Sequence, residues 1–196
     1  SVLLIYLVAK KWFNETVGLI SASFITTIQF TVIYSQIARP YISGLFFSLL
    51  MVYYWTLIIK NPKKKFNRNL ILYVLSSAMC AYNHHFSLLF AGIVGLSGLF
   101  YIKKEYVKKY IFSGLLIFIL YIPHLNIFFY QLNVGGIGGV DGWLGKPTND
   151  FLIKYIFYIF NFSIFSVITT ALLIIYGFKK NTLKKQKNYQ KIENRC

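Results

Sequence analysis

PYISGLFFSLLMVYYWTLII, residues 40–59, followed at once by KNPKKKFNR, residues 60–68, decides the class of fold. The first segment has no charged residue, and it has the roughly 20 apolar residues that a helix needs to cross a ~30 Å hydrocarbon core. Its leading Pro40 is harmless in a first helical turn, where its missing N–H has no partner to lose. The second segment carries Lys60, Lys63, Lys64, Lys65 and Arg68. An apolar span closed abruptly by a basic run is the signature of a transmembrane helix ending on the cytoplasmic side.

The same alternation extends in both directions. Residues 1–9 read as the tail of a span that stops at Lys10 and Lys11, and residues 16–34 as a full span. Residues 69–82 form a shorter apolar block, and residues 84–102 follow after a tight break. Residues 110–132 form a long block with a kink expected at Pro123. After the Gly-rich residues 133–150, Asp150 is placed to cap a helix starting at Phe151. Apolar character then runs to Phe178, too far for one straight span, so a break is expected near Asn161 to Ser163, or else a strong tilt.

Charge fixes the orientation. The basic loops, at residues 10–11, 60–68, 103–109 and 179–196, hold 18 of the 21 Lys and Arg residues. They alternate with loops that hold only Arg39 and Lys146, with Lys154 just beyond. Strict alternation is what the positive-inside rule requires. The expected architecture is therefore all-α: a polytopic transmembrane bundle of six to seven spans over residues 1–178, with a basic cytoplasmic tail at 179–196. The Gly-rich loop would lie outside a plasma (inner) membrane.

Composition agrees. The chain is 57% hydrophobic with a mean hydropathy of +0.56, yet carries a net charge of +16. A nucleic-acid binder gathers such charge on one solvated face. Here it sits in short runs between apolar blocks, which argues for membrane lipids as partners and against nucleic acid. Several helices are apolar all round, which a soluble bundle does not tolerate. The chain opens on Ser1 inside an apolar run, without the basic start or cleavage site of a signal peptide, and reads as an internal piece of a longer protein. Cys80 and Cys196 are too few for a disulfide framework.

Unusual polar residues collect at the outer helix ends. Arg39, in Tyr34-Ser35-Gln36-Ile37-Ala38-Arg39-Pro40-Tyr41, runs against the positive-inside trend. It is either a snorkelling interfacial cation or a planar fork of donors suited to a phosphate. His84 and His85, in Tyr82-Asn83-His84-His85-Phe86, are adjacent and cannot share one helix face, so a metal pair is disfavoured. They are either a polar interfacial turn or a phosphate-binding or proton-shuttling group. His124 is best read as satisfying a carbonyl freed by Pro123. The Gly-rich stretch, with Asp141, Trp143 and Lys146, lacks the P-loop spacing. It is either a connector or a loop that folds over a substrate headgroup. Five acids in all, only Asp141 and Asp150 of them outside, argue against a two-carboxylate hydrolase. Neither a metal nor another cofactor is expected.

Taken in order, Ser35-Gln36-x-Ala38-Arg39-x-Tyr41, then Leu72-Tyr73-x5-Met79-Cys80-Ala81-Tyr82-Asn83-His84, then Gly142-Trp143-Leu144-Gly145-Lys146-Pro147 resemble the polytopic GT-C glycosyltransferases. Within that class they look like family 39, the dolichyl-phosphate-mannose protein mannosyltransferase-like group that includes the lipid A aminoarabinose transferases. The resemblance covers most of residues 1–178 and rests on motif order and topology. It implies transfer of a sugar from a polyprenyl-phosphate donor to a lipid, glycan or protein acceptor at the outer face. It makes Arg39 the donor-phosphate ligand, with Tyr41, His84 and His85 in support, and Asp141, Trp143 and Lys146 the substrate loop. It also implies a catalytic acid in a first outer loop upstream of Ser1, so that these 196 residues alone are expected to be inactive. The rival reading is a transporter or flippase for lipid-linked glycans. It is disfavoured because no charge lies mid-span and no internal repeat is evident.

Overall fold

The computed structural model describes residues 1–37, 39–133, 147–172 and 175–176. Its regular structure among these residues is helical. The chain divides into two compact units, Ser1–Lys146 and Pro147–Cys196.

The first unit holds α1 (Val2–Trp12), α2 (Glu15–Thr27), α3 (Gln29–Gln36), α4 (Pro40–Lys60), α5 (Phe66–Asn83), α6 (His85–Tyr101), α7 (Val107–Tyr121) and α8 (Leu125–Asn133). Short 3-10 turns precede and follow α7. α4 is 21 residues long with mean hydropathy 1.9, and the helical run Lys104–Asn133 is 30 residues long with mean hydropathy 2.0. Both are long and apolar enough to cross a membrane; counting each bent pair as one span raises the number to four. That is fewer than the six to seven expected. α1 and α6 are too short, at 11 and 17 residues, and α5, at 18 residues, is not apolar enough.

α5 is short of apolar residues because it occupies the interior. It packs on α4, α6 and α7, and buries Ser76, Ser77, Ala78, Cys80 and Ala81. Small and weakly polar residues make these close helix contacts. Ser76 returns its hydroxyl to the Leu72 carbonyl at 2.7 Å, and Ser48 meets Cys80 Sγ at 3.4 Å. α6 and α7 show the opposite pattern. Leu89, Ile93, Leu96 and Phe100 of α6 are exposed, as are Ile111, Phe112, Leu115 and Phe118 of α7. A continuous apolar surface of this extent calls for lipid or protein cover.

The expected span at residues 16–34 is bent by 56° between α2 and α3. Thr26, Thr27 and Thr31 turn their hydroxyls onto the carbonyls of Ser23, Phe24, Ile25 and Ile28. Side-chain competition for the helix ladder opens the turn at this point. Pro123 produces a local 3-10 turn, Ile122–His124, and the helical run continues through it. The Ile119 carbonyl, which Pro123 has no N–H to reach, is taken by the Ile122 N–H. His124 is therefore not needed for that carbonyl, contrary to the sequence reading.

In the second unit, α9 (Phe151–Ile159) and α10 (Ile164–Leu172) meet at 93°. The bend falls where it was expected, with Asn161 and Phe162 both at positive φ. Asp150 stands at the helix start but caps no N–H with its side chain; it pairs with Lys154 at 2.7 Å instead. That pair, with the Thr148 hydroxyl, holds the Asp150 carboxyl below its usual range.

Candidate functional site

The first unit has two chemically distinct ends. α4 runs from Arg39 at one to Lys60 at the other. Its later turns belong to the basic end, where an aromatic cluster closes the core. Trp12 stacks on Trp55 with centroids 5.9 Å apart and donates its indole N–H to the Thr56 hydroxyl at 2.9 Å. Lys60 Nζ sits 4.0 Å from the Trp12 ring. Trp55 donates to the Tyr110 hydroxyl at 3.1 Å, which in turn donates to the Gly95 carbonyl at 2.8 Å.

The other end collects the histidines. The sequence Arg39-Pro40 dictates its geometry. A residue before proline is pushed into extended backbone, and Arg39 lies at φ −120°, ψ 151° as the N-cap of α4. Its side chain is exposed, and no hydrogen bond or ion pair engages the guanidinium among the described residues. Asn83, at the end of α5, ties the start of α4 to the α5–α6 joint. Its Nδ2 donates to the Pro40 carbonyl at 2.7 Å, and its Oδ1 accepts from the Ser43 hydroxyl at 2.6 Å. Gly44 permits that approach, since a Cβ there would lie 2.8 Å from Asn83 Nδ2 and 3.0 Å from Ser87 Oγ.

This tie brings Tyr41 and His84 together, with ring centroids 5.9 Å apart. Both belong to a chain of aromatic contacts around this end. Tyr41 also meets Tyr34 at 4.7 Å, His84 meets His85 at 6.0 Å, and His85 meets Phe128 at 5.2 Å. His124 joins through Tyr121 at 5.4 Å and Tyr82 at 4.9 Å. A cavity of about 210 Å³ opens among Tyr41, Gly44, Ser48, His84, Ser87 and Phe90.

His84 caps α6: its Nδ1 accepts the Phe86 N–H at 3.2 Å. In the neutral ring this leaves the proton on Nε2 as a donor. Burial, and secondarily the neighbouring His85, keep its pKa below the ordinary histidine value. The permanent positive charge at this end therefore rests on Arg39 alone among the described residues of the unit. Among the described residues no carboxylate accompanies it. Glu15 lies at the basic end, paired with Lys10 at 3.2 Å, and Glu105 lies between Lys104 and Tyr106 in the turn before α7. The donors this end offers among the described residues are one exposed guanidinium, a neutral imidazole N–H and a phenol. Among the described residues the bases at this end are its histidines, with no carboxylate beside them.

Of the candidate residues, the structure brings Tyr41, His84 and His85 into one cluster and sets Arg39 two residues from Tyr41. Asp141, Trp143, Lys146 and Cys196 lie outside the described residues. Sequence reasoning missed Asn83 as the tie and Gly44 as the residue that permits it. A glycine in the first turns of an apolar span was the available signal for a close approach. Against protein-family models, curated proteins and solved structures the chain shows no significant match.

Proposed function

We propose that this chain belongs to a multi-pass membrane glycosyltransferase of the GT-C class, resembling family 39, that draws a sugar from a polyprenyl-phosphate donor at the outer face of the plasma membrane. In this reading α2–α3 is one broken span and α4, α5, α6 and α7–α8 are further spans. α9 is then interfacial, leading into α10, and the lysine-rich runs are cytoplasmic. The observation that carries the proposal is the uncommitted guanidinium of Arg39 at the histidine end, close in sequence to a cavity walled by Tyr41 and His84. Breaking the bond between the sugar and the phosphate oxygen leaves negative charge on the departing phosphate. A positioned cation stabilises that charge more than it stabilises the intact donor. The acceptor hydroxyl, as it bonds to the sugar, gives its proton to a carboxylate. The family resemblance assigns that group to a first outer loop.

Two measurements test the reading. Binding of a short polyprenyl phosphate to the chain in nanodiscs should weaken at least about tenfold in Arg39→Ala, the loss of one charge-assisted contact, with partial retention in Arg39→Lys. Joining the chain to a family-39 N-terminal part with its outer-loop acid should give sugar transfer from a labelled donor, and the unjoined chain none. Full transfer activity in the joined Arg39→Ala protein would remove the phosphate assignment. Movement of the labelled lipid across the bilayer without bond cleavage would establish the transporter instead.

A further inference from the structure

At the basic end, a cavity of about 340 Å³ lies between α1, α4 and the start of α5. Lys11, Lys64, Lys65 and Arg68 line it, with Asn61 and Asn69. Among the described residues, no ion pair involves any of these four cations. Asn61, with its amide oxygen turned to the Lys11 ammonium at 3.0 Å, holds one cation at the rim. The α5 N-terminus adds to the positive field. Lys65, in left-handed backbone at φ 56°, ψ 37°, is its N-cap, no side chain caps the first turn, and no acid lies in it. Four uncompensated cations around a concave space repel one another, and an anion relieves that repulsion.

A second observation narrows the ligand. Asn69 is 4% exposed, and its Nδ2 is committed to the Lys64 carbonyl at 3.2 Å. Its Oδ1 has no hydrogen-bond donor. A buried acceptor without a partner is costly, so the group that fills this cavity is expected to bring a donor as well as a negative charge. The remaining wall is Tyr53 and Leu57 of α4, which lead from the lysines toward the apolar middle of that helix. A free anion has no use for that wall, whereas the glycerol backbone and acyl chains of a lipid do.

We infer that this cavity binds the headgroup of an anionic phospholipid of the cytoplasmic leaflet, one that carries a hydroxyl beside its phosphate, as phosphatidylglycerol does. The phosphate sits among Lys11, Lys64, Lys65 and Arg68, and the headgroup hydroxyl donates to Asn69 Oδ1. Basic pockets between spans on the cytoplasmic side commonly hold such headgroups. The inference rests on the membrane orientation proposed above and is independent of sugar transfer at the other end.

The test uses the full chain in phosphatidylcholine nanodiscs, with binding of dioctanoyl phosphatidylglycerol followed by native mass spectrometry and by thermal shift. Saturable binding of one lipid is expected, with dioctanoyl phosphatidylcholine and inorganic phosphate each at least about tenfold weaker. Lys64→Gln/Arg68→Gln should weaken phosphatidylglycerol about tenfold or more. Lys63→Gln/Lys108→Gln, which removes the same charge outside the cavity, should leave it unchanged. Asn69→Val should abolish the preference for phosphatidylglycerol over phosphatidylmethanol, which has the phosphate but no hydroxyl. Equal weakening by both double variants would replace the site with a diffuse charge effect. Equal binding of inorganic phosphate would overturn the lipid assignment, and an unchanged preference in a folded Asn69→Val would overturn the role of the hydroxyl.

Discussion

The basic end and the histidine end of the first unit are built from the same residue types in opposite ways. At the basic end, aromatic side chains spend their polar atoms on bonds inside the bundle. Trp12, Trp55 and Tyr110 each donate inward, to Thr56, Tyr110 and Gly95. At the histidine end the rings touch, but Arg39 and the Nε2 of His84 have no hydrogen-bond partner among the described residues, and Asn83 ties α4 to the α5–α6 joint. The aromatic cluster is tied into the bundle by these bonds and serves cohesion; the histidine end keeps donors in reserve. Substitutions in the aromatic cluster should therefore affect stability first, and those at the histidine end should affect binding first.

The sharpest contrast lies between two glycines. A Cβ at Gly98 would stand 2.1 Å from the Tyr110 hydroxyl and 2.7 Å from Trp55 Nε1, both held by their mutual hydrogen bond. Overpacking a fixed cluster displaces several side chains at once. Gly98→Ala should lose about 3 kcal/mol or fail to assemble, read from the unfolding midpoint in mixed micelles. An unchanged midpoint would mean the aromatic cluster yields freely, and the contrast between the ends would collapse. Tyr110→Phe removes only the hydroxyl and should cost about 1.5 kcal/mol, since Trp55 and Gly95 each lose a partner.

Gly44 sits at the other end in a similar approach, but the atoms it meets are the tips of Asn83 and Ser87. These side chains can move aside by giving up local hydrogen bonds. Gly44→Ala should cost about 1 kcal/mol, less than Gly98→Ala, while weakening polyprenyl phosphate binding through the displaced α4–α5 joint. Parallel unfolding and binding titrations on one preparation separate the two effects. A stability loss as large as that of Gly98→Ala would show that the joint is as rigid as the aromatic cluster.

Much of this division was legible in the sequence, because it depends on local rules. Lysine runs closing apolar blocks located the basic end, Pro40 and Asp150 marked helix starts, and the length of apolar chain after Asp150 called for either a strong tilt or the break that falls at Asn161 and Phe162. What escaped were the features that depend on the partner across the bundle. Nothing local distinguishes α5 from a lipid-facing span except its serines, and a serine faces either a neighbouring helix or its own backbone. The bend between α2 and α3 was hidden because threonine is ordinary in an apolar helix until its hydroxyl finds a carbonyl. Pro123 announced a disturbance, yet its form depended on the Ile122 N–H reaching the orphaned carbonyl. At the candidate site, Arg39 and the histidine pair stood out by type, whereas their proximity needed Asn83 and Gly44, two residues whose role exists only once α4 meets α5.

The smallest expected effect is also the most specific to the histidine end. Burial, helped by His85, holds the His84 pKa below that of an unfolded histidine, which is about 6.5. As pH falls through about 6.5, the unfolded or opened joint takes up its proton first, so the open form binds more protons and is favoured. Stability from this residue is complete above that range and declines below it, toward the lowered folded value. Protonation of Nδ1 also removes the acceptor for the Phe86 N–H, the bond that starts α6. Acidification from pH 7.5 to 5 should therefore accelerate hydrogen exchange at the Phe86 amide beyond the intrinsic pH dependence, while the amides of the Trp55–Tyr110 region hold their protection. In His84→Gln the excess acceleration should vanish. If the wild-type Phe86 amide follows the intrinsic dependence throughout, the imidazole does not hold the α5–α6 joint. Its place beside Tyr41 would then owe nothing to the cap.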